Sequence, residues 1–290
     1  MSIECRSALY IPASNQRALA KGPSLAADVI IIDLEDSVAP DNKALARKQA
    51  AHTLQHADFG YRVRALRINA AGTPWHIDDA AVAAQCKPNA IVIPKVESID
   101  DIAAVSRVMD QHSELGNTAI WAMLESPLAV VNSASIAASV TNNPRLSMFI
   151  VGNNDMARAA GMPVQSDRTF MLPWLMQLVA AAKAHGLQIL DGVFNDFADV
   201  DGFLAECQQG STMGMNGKTL IHPSQLAIAN MAFSPSDDEV DDAKAVVSAF
   251  AQAEHTGKGA IAINGRMVER LHLTMAEQLL ARVDRLRVRV

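Results

Sequence analysis

The chain has 290 residues, half of them apolar, 19% charged and 4% aromatic, with a formal net charge of −6. Length and apolar content allow one large α/β domain or two small ones around an extensive core. The acidic balance argues against nucleic acid as a partner. No apolar run reaches the roughly 18 residues of a membrane helix, and Met1 leads into a strand-like segment with no signal-peptide core.

A cytoplasmic protein that binds neither nucleic acid nor membrane is therefore expected. Three scattered cysteines, Cys5, Cys86 and Cys207, lack C-x-x-C spacing and suit a reducing compartment.

Apolar, β-branched runs then recur along the chain. The predicted strands are residues 7–13 (SALYIPA), 29–35 (VIIIDLE), 64–69 (RALRIN), 90–97 (AIVIPKVE) and 119–126 (AIWAMLES). Residues 148–153 (MFIVGN), 187–193 (LQILDGV) and 217–221 (GKTLI) complete the set. Runs of this kind belong to strands buried on both faces, and a spacing of about 30 residues fits strand–helix units. Between them, residues 100–111 open with acids and carry Ile102, Val105, Val108 and Met109 at helical spacing. Residues 173–185 begin with Pro173 and stop at Gly186.

The expected fold class is thus α/β, a (β/α)8 TIM barrel over residues 1–232. An open doubly wound sheet is disfavoured, because no G-x-G-x-x-G follows the first strand and no P-loop is present. Beyond the barrel, residues 233–290 form a C-terminal helical arm. Its parts are an amphipathic helix over 240–253, a Gly-flanked loop over 255–266 and a last helix from Met267 to about Arg285. Met267, Leu271, Met275, Leu279 and Val283 make an apolar stripe on that helix, expected to pack on a neighbouring subunit or on the chain's own barrel. Arg282, Arg285, Arg287 and Arg289 read as a solvated helix end or an oligomer contact.

A barrel of this type carries its chemistry at the C-terminal ends of its strands. There the sequence places Asp33, Glu35 and Asp36, then Arg67, Lys95, Glu125, Asp155, Asp191 and Lys218 with His222. Several carboxylates at one mouth repel unless a proton or cation intervenes. A divalent cation with oxygen ligands answers this, with structural salt bridges as the alternative. Glu125 and Asp155 are the natural direct pair for Mg²⁺, leaving Glu35 and Asp36 to hold its waters. No His or Cys spacing suits zinc.

The motifs themselves resemble the citrate lyase β-subunit-like acyl-CoA lyases of the HpcH/HpaI aldolase superfamily. They run in order from RSALYIPASNQR (6–17) and IIDLEDSV (31–38) to RINAAGTPW (67–75), IPKVES (93–98) and LESP (124–127). GNNDMA (152–157), DGVFNDF (191–197) and GKTLIHPSQ (217–225) follow.

The resemblance implies the same barrel, assembled as a homotrimer or hexamer. It also implies a Mg²⁺-dependent lyase that makes or breaks a carbon–carbon bond in a malyl-, citramalyl- or citryl-type 3-hydroxyacyl-CoA, giving a 2-oxo acid and acetyl-CoA. By the same resemblance Glu125 and Asp155 bind Mg²⁺, and Arg67 stabilises the enolate-like thioester oxygen. Arg17 and Lys21 contact the CoA.

One departure stands out. Where the family reads D-G-K/R-M-[IV]-D, this chain has INGRMVE (263–269), so Asn264 replaces the acid/base Asp. A carboxamide cannot exchange a proton as a carboxylate does, though it can hydrogen-bond a substrate oxygen. A thioesterase on malyl-CoA-like substrates, or a 2-oxo-acid- or CoA-binding non-lyase, is therefore the alternative to a lyase.

Overall fold

The computed structural model describes residues 4–163, 168–252, 257–263 and 265–287. The chain divides into two compact units, Met1–Phe233 and Ser234–Val290.

In the first unit, eight parallel strands close into a barrel in sequence order, with β8 returning to pair with β1. They are β1 (Ser7–Pro12), β2 (Val29–Asp33), β3 (Val63–Arg67), β4 (Ala90–Ile93), β5 (Ala119–Leu124), β6 (Leu146–Val151), β7 (Gln188–Asp191) and β8 (Gly217–Leu220). The helices around them are α1 (Gln16–Lys21), α2 (Lys43–His56), α3 (His76–Cys86), α4 (Ile99–Asp110), α5 (Pro127–Ala138) and α6 (Asn153–Ala160). α7 (Leu172–Ala184), α8 (Val200–Thr212) and α9 (Leu226–Ala232) complete the ring. The expected (β/α)8 fold is present.

Local chemistry explains several helix starts. Ser98 and Asp101 form a capping box at α4, and the Ser126 side chain accepts from the Ala129 N–H at α5, where Pro127 suits the first turn. Each of the eight strands ends one to four residues before its predicted C-terminus. Leu34, Ile68 and Val96 account for part of the overrun, because they stay fully buried after leaving the ladder.

Alternation along each strand divides the apolar residues between two cores. Ala8, Val29, Ile31, Val63, Ala65, Trp121, Met123, Met148 and Leu190 fill the barrel interior. Their neighbours Leu9, Ile30, Ile32, Leu66, Ile120, Phe149, Ile189 and Leu220 face outward beneath the helices. This period-2 parity, hidden in runs that look uniformly apolar, decides which polar residues enter the barrel.

The second unit holds α10 (Asp237–Phe250), a hairpin of β9 (Ala260–Ile263) and β10 (Arg266–Glu269), and α11 (Arg270–Arg287). A Ser236–Glu239 capping box starts α10. Its core is Ala243, Val246, Ile261, Val268 and Ala276, with Leu273, Leu279 and Leu280 packed against it. Two expectations are corrected here. The predicted loop over 255–266 contains a strand, and its alternating Ile261 and Ile263 are the missed signal. Met267 also lies in β10 and not in the last helix, so the stripe on α11 begins at Leu271, which with Met275 is exposed. Asn264 lies outside the described residues.

Candidate active site

Parity aims Asp33 and Arg67 into the barrel, since Val29 and Ile31 precede the first, and Val63 and Ala65 the second, on the interior face. There the Arg67 guanidinium grips Asp33 with two bonds, Nε to Oδ1 and Nη2 to Oδ2, each 2.7 Å. Asp33 also accepts the N–H groups of Glu35 and Ser37, which shapes the chain leaving β2. Burial opposes ionisation of Asp33, but the guanidinium beside it wins and holds the carboxyl below its usual range. Arg67 stacks over the Tyr10 ring at 4.7 Å and places Nη1 3.1 Å from Glu35 Oε2. Nη1 also faces the Met123 sulfur at 3.8 Å, a weak acceptor.

Glu35 is buried and bridges Arg67 to the Lys95 ammonium, 2.9 Å from Oε1. Lys43 fixes the backbone on either side. Its ammonium, from α2, donates to the carbonyls of Leu34 and Glu35 and to Asn69 Oδ1 at 2.7–2.8 Å. Lys95 adopts φ of +57°, uncommon without glycine, and its N–H donates to Glu125 Oε1 at 2.6 Å.

Glu125 follows β5 and Asp155 lies in the first turn of α6, after the adjacent strand. Gly152 makes their approach possible, because a Cβ there would sit 2.3 Å from Glu125 Cβ. Burial pushes the Glu125 carboxyl up to about 7, with Asp155 and Glu35 adding repulsion, against the opposing Lys95 N–H. Asp155 is partly exposed and pairs with Arg158 within the helix.

Tyr10, Asp33, Arg67, Glu125, Asn153 and Asp155 all line one cavity of about 250 Å³ at the barrel mouth, and Asp36 lies on its wall. Among the described residues no three His, Cys, Asp or Glu side chains are grouped as a metal cage. The donor set is nevertheless right for a hard cation: two oxygen ligands, one of them a buried carboxylate whose charge is unfavourable until balanced. Mg²⁺ fits such a site, with water and substrate completing its shell.

Arg17 and Lys21 are exposed on α1, just beyond the C-terminal end of β1, and neither lines this cavity. Asp191 and Lys218, expected at the mouth, face the other way. Leu190 points inward, so Asp191 points outward, and Leu220 shows the same parity for Lys218. Both are fully buried between barrel and helices, where Lys218 pairs with Asp191 at 2.8 Å and Glu206 at 2.6 Å. Arg168 closes this network on Asp191 at 2.7 Å. Sequence reasoning assigned no role to Tyr10, Lys43 or Asn153 and placed Asp33 at the mouth without a role. Parity could have found Tyr10 and Asp33.

Among the described residues no helix is long and apolar enough to cross a membrane. The sequence profile of the HpcH/HpaI aldolase/citrate lyase family matches residues 6–223. The chain is 45% identical over 279 residues to a (3S)-malyl-CoA thioesterase of Cereibacter sphaeroides, covering 96% of this chain and 94% of the relative. It is 34% identical over 303 residues to an L-malyl-CoA/beta-methylmalyl-CoA lyase of the same species, with the same coverage. Among solved structures, CitE from Mycobacterium tuberculosis in complex with magnesium, acetoacetate and coenzyme A matches with a TM-score of 0.77. That match has 29% identity and covers 95% of this chain and 97% of that one. RipC from Yersinia pestis matches with a TM-score of 0.70 and 30% identity, covering 83% of this chain and all of that one. By its sequence and its barrel alike, this chain belongs to the HpcH/HpaI aldolase/citrate lyase family.

Proposed function

We propose that the protein is a Mg²⁺-dependent enzyme acting on malyl-CoA-type thioesters, with hydrolysis of the thioester as its reaction. The observation that carries the site assignment is the meeting of Glu125, Asp155 and Arg67 in one small cavity. Glu125 and Asp155 would hold the cation, with Glu35 and Asp36 beside it. Mg²⁺ supplies Lewis acidity and a template for the oxygens of the malyl portion.

Arg67 is locked in place by Asp33, and its Nη1 has, besides Glu35, only the weak Met123 sulfur as acceptor, a place the thioester oxygen can take. Donation there stabilises the negative charge that grows as water adds to the carbonyl carbon, before the thiolate leaves. Arg17 and Lys21, exposed just beyond β1, would meet the phosphates of CoA.

Hydrolysis is preferred to carbon–carbon cleavage because the relative named for it is 45% identical and the one named for cleavage 34%. Cleavage is the second reading, favoured by the Arg67 placement, which would serve an enolate equally well. The two differ in products. Native protein is incubated with (3S)-malyl-CoA and Mg²⁺ or a chelator, while free thiol and glyoxylate are both followed. Thiol without glyoxylate, abolished by the chelator, is the expected result. Glyoxylate without thiol would make the protein a lyase, and neither product would remove the reading altogether.

A further inference from the structure

Asn153, the first residue of α6, carries a side-chain oxygen that is buried and has no hydrogen-bond donor among the described residues. The residue is only 8% exposed. Its side chain lies over Gly192, where a Cβ would come within 2.6 Å of Asn153 Cγ and 2.8 Å of the Val151 carbonyl oxygen. It stands on the wall shared by the mouth cavity and an adjoining cavity of about 470 Å³ lined largely by apolar residues such as Met162, Met171 and Phe194. Two residues along the chain is Asp155. Buried carbonyl oxygens are almost always paired, and an unpaired one beside a reactive cavity calls for an explanation.

The other groups around the mouth narrow the choice. Asp33, Glu35, Glu125 and Asp155 are all acceptors when ionised, and the Arg67 donors already serve two carboxylates. What the Asn153 oxygen lacks is a donor, and a ligand that brings one is a hydroxyl compound. We infer that Asn153 is the acceptor for the alcohol O–H of a hydroxyacyl ligand, and so distinguishes hydroxy acids from their deoxy and oxo counterparts. This rests on the reading of the mouth as a Mg²⁺ site for malyl-type ligands.

The assignment has a chemical consequence. Carbon–carbon cleavage requires the alcohol proton to leave, the O–H electron pair to form the new carbonyl, and the C–C pair to pass to the thioester as an enolate. An amide oxygen accepts a hydrogen bond without removing the proton. Holding the alcohol in this way leaves the C–C bond intact while water attacks the thioester.

The test uses the full-length protein, with L-malate and succinate as probes that differ by the single hydroxyl. Asn153→Ala removes the acceptor, and Asn153→Leu removes it while keeping bulk over Gly192. Circular dichroism and thermal melting confirm that both fold. Titration calorimetry then measures Mg²⁺ alone and each diacid with Mg²⁺ present. The expected result is a loss of about tenfold in malate affinity, equivalent to about 1.4 kcal/mol, with succinate and Mg²⁺ unchanged. Equal weakening of malate and succinate, no weakening of either, or weakened Mg²⁺ binding would each overturn the inference while leaving the metal reading standing. If the native protein binds no Mg²⁺, the metal reading falls and takes the inference with it.

Discussion

Replacing Glu125 by Gln should stabilise the metal-free protein at alkaline pH. The carboxyl is 5% exposed and sits beside Asp155 and Glu35, so burial and like charge raise it from 4.5 to about 7. The unfolded chain therefore releases this proton at lower pH than the folded one. Its favourable contribution is complete below about 4.5 and is lost as pH rises through 7. Relative to low pH, the native protein has lost on the order of 3 kcal/mol at pH 8, and about 1 kcal/mol at pH 5, where only the unfolded chain has released the proton. Gln keeps an oxygen for the Lys95 N–H and removes the charge. In chelator, Glu125→Gln should therefore melt about 6–10 °C above native at pH 8, with the gain shrinking towards pH 5. Mg²⁺ should raise the native melting temperature and leave the variant unmoved. Calorimetric melts of both proteins across that range are the assay. A destabilised variant, or a difference that ignores pH, would refute the account of the carboxylate pair.

Gly152→Ala should weaken Mg²⁺ at least tenfold by calorimetric titration, because the new Cβ would lie 2.6 Å from Glu125 Oε2 and displace that side chain. Asp33→Asn should lower kcat/KM about 100-fold with Mg²⁺ affinity unchanged, since it unlocks the Arg67 guanidinium without touching Glu125 or Asp155. Lys218→Met should cost about 3–5 kcal/mol in denaturant melts, because it strands two buried carboxylates on Arg168 alone. In the same variant, Mg²⁺ binding should persist wherever the protein stays folded, in contrast to Glu125→Gln and Gly152→Ala.

The barrel was legible because each strand is an unbroken apolar run and each helix begins with recognisable chemistry, as at Ser98 and Pro127. The meeting of Arg67, Glu125 and Asp155 was legible as soon as the strand ends were treated as one surface. What escaped was direction. VIIID and LQILDGV read alike, yet Asp33 faces the interior and Asp191 the helices, and only the phase of alternation tells them apart. A treatment that assigned each strand residue to one of two faces would have removed Asp191 and Lys218 from the mouth and promoted Asp33. The pairing of Asp33 with Arg67, and the reach of Lys43 to the backbone around Glu35, depend on distances between elements far apart in sequence. The β9–β10 hairpin was missed because the alternation of Ile261 and Ile263 spans only four residues between glycines that read as a loop.

The outward-facing charges on the last two barrel strands bear on how the cylinder shuts. β7 and β8 share only two registered pairs, Leu190 with Gly217 and Asp191 with Lys218, and β8 meets β1 through three. So short a zipper specifies its own alignment poorly. A slide of one residue along β8 would carry the Lys218 ammonium into an apolar lumen, and a slide of two would part it from Asp191 and Glu206. The final seam is thus keyed by charge as well as by backbone ladder, and misthreaded closures are penalised by an unpaired ion.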